Sequence, residues 1–352
     1  MWFIRGLEHR IMLTGIVARN NEVWQGHPDV AFFKGKFYVV YRESKDHKSF
    51  KNTKINIVSS GNGSSYSKPT ILLKSDKARW NCPRLSVIGG NMWLICDCVN
   101  NIDDSFLKSE NNPKAISIWV MSTKDGKNWS EPFKTNINGI VPDRMFISNE
   151  QFFVAAHRYK VIDKKYGGSR LVQNIWRTSN PRATWDMYKV ANAVGHNFCE
   201  GSVCELNDNL VCMMRENSGN GFPAYISFSK NDGLIWTDIK RTRLFGCHRP
   251  VLGQLKSGNY LVTYREQSMS LSARYWAKNT FACLIKKESL LEEPYCSCGI
   301  ILPLDHDNNK KSDSGYTGWC QLPTGNIYIV NYITSDAPKP YIKWYMISEE
   351  EF

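Results

Sequence analysis

One short pattern recurs six times along the chain, and it leaves few folds open. Each copy is a polar motif, an apolar run, a Gly/Asn turn, a second apolar run and a closing polar or charged residue. The first opens at Gly26-His27-Pro28-Asp29, turns at Lys34-Gly35-Lys36 and closes at Arg42-Glu43. The others open at Asn81-Cys82-Pro83-Arg84, Val141-Pro142-Asp143-Arg144, Cys199-Glu200-Gly201-Ser202, His248-Arg249-Pro250 and Gly315-Tyr316-Thr317-Gly318. Two strand-length apolar runs around such a turn form a β-hairpin. The copies recur every ~50–65 residues, which leaves room in each for two more strands and a loop. Further strands are legible at 54–58, 116–120 and 224–228, and no stretch has the periodicity of a three-turn amphipathic helix. The pattern predicts an all-β chain, a six-bladed β-propeller of four-stranded antiparallel blades, with residues 1–352 as a single domain. The C-terminal run Tyr341–Ile347 is expected to pair near Arg10–Val17, closing the ring and hiding its edges. Duplicated sandwich domains are the structural alternative.

Composition narrows the partners. With 42% hydrophobic and 22% charged residues the chain has material for a core, which excludes wholesale disorder. The net charge of +12 favours an anionic glycan, a nucleic acid or a membrane surface. Nucleic acid is disfavoured because no recognition motif or Lys/Arg stripe is present. No apolar stretch reaches the ~18–20 residues of a membrane span. No glycine-rich phosphate loop precedes a helix, and no cofactor is expected. The segment Met1–Arg10 lacks the apolar region of a signal peptide, so a cytoplasmic or a phage- or virus-associated protein is expected. The 11 cysteines are an odd count, and many fall inside apolar strands, as Cys96, Cys98, Cys212, Cys283 and Cys320 do. Buried reduced thiols fit that distribution. Cys96-x-Cys98 and Cys296-x-Cys298 lack the usual zinc spacing, so no metal is expected.

Hairpin geometry decides which residues share a mouth. In an antiparallel hairpin the start of the first strand and the end of the second lie at the same end. All the opening motifs and closing residues therefore face one rim. From the openings that rim collects His27, Asp29, Arg84, Asp143, Arg144, Glu200, His248, Arg249 and Tyr316, and from the closing positions Arg42, Arg158, Arg215 and Arg265. Converging guanidinium groups suit bidentate capture of a carboxylate or sulfate, and their field concentrates anions in the funnel.

A second repeated motif carries a family resemblance. Ser122-Thr123-Lys124-Asp125-Gly126-Lys127-Asn128-Trp129 shares its frame with Ser229-Lys230-Asn231-Asp232-Gly233-Leu234-Ile235-Trp236, and weaker versions occur at 59–66 and 179–185. These stretches resemble the Asp-box (BNR repeat) of the sialidase, or neuraminidase, superfamily, a turn between the third and fourth strands of a blade. The Asp or Asn ties down its own turn, Gly takes a positive φ and the aromatic packs between blades. The resemblance covers nearly the whole chain and speaks to fold before chemistry.

The resemblance also implies a mechanism. Sialidases open their sixth blade with a Tyr nucleophile, similar to Gly315-Tyr316-Thr317-Gly318, and their fourth with a Glu that withdraws its proton, similar to Cys199-Glu200-Gly201 followed by Met214-Arg215. Their acid/base is an Asp in the loop after the first hairpin, where Asp46 stands. An anionic substrate repels a carboxylate nucleophile, so a neutral Tyr activated by Glu suits it. The resemblance thus implies a retaining, exo-acting glycoside hydrolase acting on a sialic-acid-like or uronic sugar. Tyr316, Glu200 and Asp46 would be catalytic, with Arg42, Arg215, Arg265, Arg249, Arg84, His27 and Asp29 binding substrate. The chain departs from the family pattern where the first of three carboxylate-binding arginines belongs, which reads Gly26-His27-Pro28. For the third, Arg265, Arg274 and Lys278 compete. A glycan-binding propeller without turnover and a propeller-type polysaccharide lyase are the alternative functions. Oligomeric state is not legible.

Overall fold

The computed structural model describes residues 12–100, 116–161, 169–269 and 276–352. Six four-stranded antiparallel sheets follow one another along the chain, as the repeat predicts. Blade 1 comprises Trp24–Phe33, Lys36–Ser44, Thr53–Ser60 and Thr70–Ser75, hydrogen-bonded in that order, and the next four blades repeat the scheme. Blade 6 takes three strands from the C-terminal end, Thr317–Gln321, Ile327–Ile333 and Tyr341–Ile347. Its outer strand, Leu13–Ala18, comes from the opposite end of the chain, with Leu13 opposite Met346. Among the described residues the only helical pieces are Lys287–Leu291 and the short turn Glu349–Glu351.

The core lies between blades. Val30, Val39 and Tyr41 of blade 1 pack with Val330, Tyr332 and Trp344 of blade 6, and Ile95 and Val120 of blade 2 with Val154 and Trp176 of blade 3. Strands near the axis are covered on both faces, so their apolar runs are continuous rather than alternating, as in the fully buried Ile327–Ile333.

Four of the six innermost strands break their ladder where the sequence repeat opens. Pairing skips between Gly26 and Asp29, Asn81 and Arg84, Cys199 and Ser202, and His248 and Val251. The equivalent residue in all six blades has positive φ: His27 (53°), Cys82 (45°), Val141 (54°), Glu200 (50°), Arg249 (48°) and Gly315 (92°). Five of these are not glycine, and Val141 is β-branched, so the bulge carries backbone strain of order 1–3 kcal/mol per residue. A β-bulge re-aims side chains that the alternation would otherwise send into the sheet. At the far end of the blades, the turns between third and fourth strands are tied by their own side chains. Asp125 Oδ1 accepts from the amides of Lys127 and Asn128, both at 2.8 Å, and Asn62 and Asn231 cap their turns in the same manner.

Candidate functional site

Register decides which closing residues reach the axis. Opposite the residue that precedes each bulge stand Arg42 (blade 1), Asp97 (blade 2), Arg215 (blade 4) and Arg265 (blade 5). In blade 3 that place belongs to His157, bridged to Ile140. Arg158, expected in the ring, is one residue along and faces the other way, its Nη1 lying 3.1 Å from Met187 Sδ. A shift of one residue flips a strand side chain to the opposite face.

The centre is built around Tyr316, which the structure brings together with Glu200, Arg215, Arg249 and Arg265. Tyr316 Oη donates to Glu200 Oε1 at 2.8 Å and accepts from Arg265 Nη2 at 2.9 Å and Arg215 Nη1 at 3.3 Å. Arg215 Nη1 also donates to Glu200 Oε2 at 2.9 Å. The Arg265 and Arg249 guanidinium carbons lie 4.1 and 5.3 Å from the centre of the Tyr316 ring. Gly315 makes the approach of Arg265 possible: a Cβ there would fall 2.6 Å from Arg265 Cγ. Of the contenders for a third arginine, Arg265 is the one at the tyrosine. Lys278 Nζ instead lies 3.9 Å from Asp313 Oδ1, and Arg274 lies outside the described residues.

Burial and charge set the protons. Burial raises the Tyr316 phenol to about 12, against the pull of Arg265 and Arg215. Burial also acts to raise Glu200, but Arg215, Arg249 and Arg265 outweigh it and hold the carboxyl far below its ordinary range. The resting pair is therefore neutral phenol and carboxylate. Three histidines line the centre uncharged. Burial, helped by Arg215 and Arg265, drops His248 to about 2, burial drops His157 to about 4, and burial with His47, Arg42 and Arg249 pushes His27 well down. His157 Nδ1 accepts the Glu200 amide at 3.2 Å.

His27 stands at the opening of the first blade, its ring 5.4 Å from that of Tyr316. Its Nδ1 lies 2.8 Å from Asn81 Oδ1, an atom that also accepts from Arg42. Nδ1 therefore carries the proton, and the buried Nε2, which has no partner among the described residues, is an acceptor. Arg42, fully buried, is spent on the loop after the first hairpin. It donates to the carbonyls of Asp46, His47 and Ser49 and packs 5.0 Å from the Trp24 ring. Asp46 is exposed, and its carboxylate caps its own turn by accepting from the Lys48 amide at 2.9 Å. His47, the next residue, is held at Nδ1 by Asp313 Oδ2 at 2.9 Å.

Asp29 and Arg84 lie in a deeper layer. Asp29 takes the Leu85 amide at 2.8 Å and the Arg144 guanidinium, while Arg84 donates to the Thr317 carbonyl at 2.6 Å. Together they stitch blades 1, 2, 3 and 6 across the axis, and their polar contacts are with that stitch. Beside the centre, a cleft of about 370 Å³ runs from Arg215 and His248 to Phe222 and Phe245. Among the described residues no group of three or more His, Cys, Asp or Glu is placed to hold a metal ion. All 11 cysteines are unpaired.

Sequence reasoning missed His47, Asp313, Asn81 and His157. Asp313 stands in the polar stretch before the sixth opening and meets His47 only once the ring closes. His47 directly follows Asp46 and was legible as a second proton-transfer residue in that loop.

No protein-family model and no curated protein sequence matches the chain. Solved structures do. A protein of unknown function from Dyadobacter fermentans superposes with a TM-score of 0.75 at 16% identity, covering 95% of this chain and 97% of that one. Trypanosoma rangeli sialidase, solved in complex with sialic acid, gives 0.67 at 11% identity and 96% coverage, with this chain spanning 57% of its length. The intramolecular trans-sialidase of Ruminococcus gnavus, in complex with oseltamivir carboxylate, gives 0.65 at 10% identity, covering 92% and 94%. The fold is sialidase-like.

Proposed function

We propose that this chain is a retaining, exo-acting glycoside hydrolase for a sugar bearing a carboxylate, of the sialic-acid-like or uronic kind. The observation that carries this reading is the hydrogen bond from Tyr316 to Glu200 inside a cage of Arg215, Arg249 and Arg265. A phenol near 12 needs an adjacent base to become a nucleophile, and Glu200 is in contact with it. The arginines that hold Glu200 down in the free site are also the donors a substrate carboxylate would recruit. Docking an anion on them weakens their hold on Glu200 and raises its basicity when the proton must move. His27 replaces one arginine with a neutral acceptor, which suits a sugar hydroxyl rather than a second anion contact. The loop at 44–50 overhangs this centre and supplies the proton for the leaving oxygen. The sialidase-like fold of the Trypanosoma and Ruminococcus proteins supports the reading.

The test is turnover of a panel of umbelliferyl glycosides of sialic acid, related nonulosonic acids, uronic acids and neutral sugars. We expect release from at least one anionic member and a loss of roughly 10³-fold in Tyr316→Phe. Equal activity in both proteins would remove the tyrosine mechanism. Silence across the panel, with binding of anionic glycans retained, would make the chain a glycan-binding propeller.

A further inference from the structure

We infer that His47, oriented by Asp313, is the acid/base of this site, with Asp46 serving to shape the loop. The inference rests on the hydrolase reading above and assigns a role that reading leaves open. Four observations place it. First, Asp313 is a built support: its carboxylate accepts from Trp24 Nε1 (2.8 Å), Tyr332 Oη (2.9 Å) and His47 Nδ1 (2.9 Å), so it is fixed before it orients the imidazole. Second, with Nδ1 on Asp313, the opposite ring nitrogen Nε2 has no hydrogen-bond partner among the described residues, and the side chain is 41% exposed. Third, His47 is next to the centre. Its ring lies 5.0 Å from that of His27, which in turn lies 5.4 Å from that of Tyr316. Fourth, the loop is locked in this pose by Arg42, which donates to three of its carbonyls, so His47 is presented on a fixed backbone.

Asp46 lacks these properties. Its carboxylate is engaged by the amide of its own turn. A carboxylate on Nδ1 fixes the orientation and tautomer of the imidazole and leaves Nε2 to face the leaving oxygen. The groups facing His47 are Asp313, Trp24, His27 and, through Asp313, Lys278.

The chemistry balances. In the first step Tyr316 Oη bonds to the anomeric carbon and passes its proton to Glu200. The bond to the leaving oxygen breaks with its electron pair, and that oxygen takes the proton of His47 Nε2. In the second step water attacks the anomeric carbon and gives a proton to the now neutral His47. The Tyr316 C–O bond breaks, and the phenolate recovers its proton from Glu200. One glycoside and one water become one sugar and one alcohol.

The experiment compares leaving groups. The anionic sugar selected from the panel is supplied as its umbelliferyl and its methyl glycoside, to the unaltered protein and to His47→Ala, Asp46→Asn and Asp313→Asn. A good leaving group needs no acid, whereas an alkoxide does. We expect His47→Ala to lower kcat/KM about 10²–10⁴-fold for the methyl glycoside and less than about 10-fold for the umbelliferyl one. Asp313→Asn, which removes a positioning residue, should show the same dependence more weakly. Added azide should accelerate umbelliferyl release by His47→Ala and yield the glycosyl azide with retained configuration, which a structural defect would not produce. Equal losses for both glycosides in His47→Ala would overturn the assignment, and so would a leaving-group-dependent loss in Asp46→Asn. Absence of turnover in the unaltered protein would overturn the hydrolase reading and this assignment together. Turnover with an unresponsive His47 removes the assignment alone.

Discussion

At Tyr316 two effects oppose one another: burial keeps the proton on, and the surrounding arginines favour its departure. Arg265 acts on the phenol in two ways, since it donates to Oη and lies against the ring face. Lysine cannot reproduce a planar fork over an aromatic ring. Arg265→Lys should therefore lower kcat/KM by roughly 10–100-fold, the worth of one charged hydrogen bond, and steady-state kinetics on the best panel member check it. The neutral histidines carry a second prediction, for stability. His27, His157 and His248 are all depressed below the ordinary imidazole value of about 6.5 in the folded state. Below that value the unfolded chain binds protons that the folded chain does not, so stability falls with pH. Melting temperature should drop steadily as pH falls from 7 to 5, and His248→Asn should flatten part of that slope. A flat profile would mean these rings titrate freely.

The bulge is where sequence and site meet at the level of elements. The hairpins were legible from their apolar runs and turns, and the positions of Glu200, Arg249 and Tyr316 on one rim followed from hairpin direction alone. The bulge itself left only a faint mark, a Pro recurring after His27, Cys82, Val141 and Arg249. Without it the register of the third blade was off by one, which put Arg158 in the place that His157 holds. Spacing along a strand cannot count residues that a bulge absorbs. The deep stitch is tight enough to test. Gly318 packs directly on Asp29, and any Cβ there meets the carboxylate. Gly318→Ala should cost about 3 kcal/mol, read by denaturant unfolding, because Asp29 is pinned by Arg144 and the Leu85 amide and cannot yield. Wild-type stability in this variant would show that the stitch is loose.

Over the whole molecule, function depends on closure. The residues at the centre come from all six blades, and the pairing of His47 with Asp313 spans 266 positions of sequence. No local motif announces such a pair, which is why a loop in blade 1 could be read from sequence and its partner before blade 6 could not. The ring is fastened by Leu13–Ala18 on Tyr341–Ile347. A chain beginning at Arg19 leaves Tyr341–Ile347 as an open edge, and it should melt roughly 5 °C lower or more and aggregate through that edge. Calorimetry with light scattering checks this, and an unchanged, monodisperse transition would contradict it. The net charge of +12 has its use here too. With arginines gathered at one mouth, capture of an anionic glycan should weaken as salt rises from 50 to 500 mM, mainly through the on-rate.

The most direct test of the central claim is the bond that Tyr316 is said to form. The protein would be incubated with a glycosyl fluoride of the selected anionic sugar, bearing a second fluorine beside the anomeric carbon to slow release, and then digested for mass spectrometry. The account predicts one added glycosyl residue on the peptide containing Tyr316, and no adduct in Tyr316→Phe. An adduct on a carboxylate, or steady turnover with no adduct on Tyr316, would contradict it.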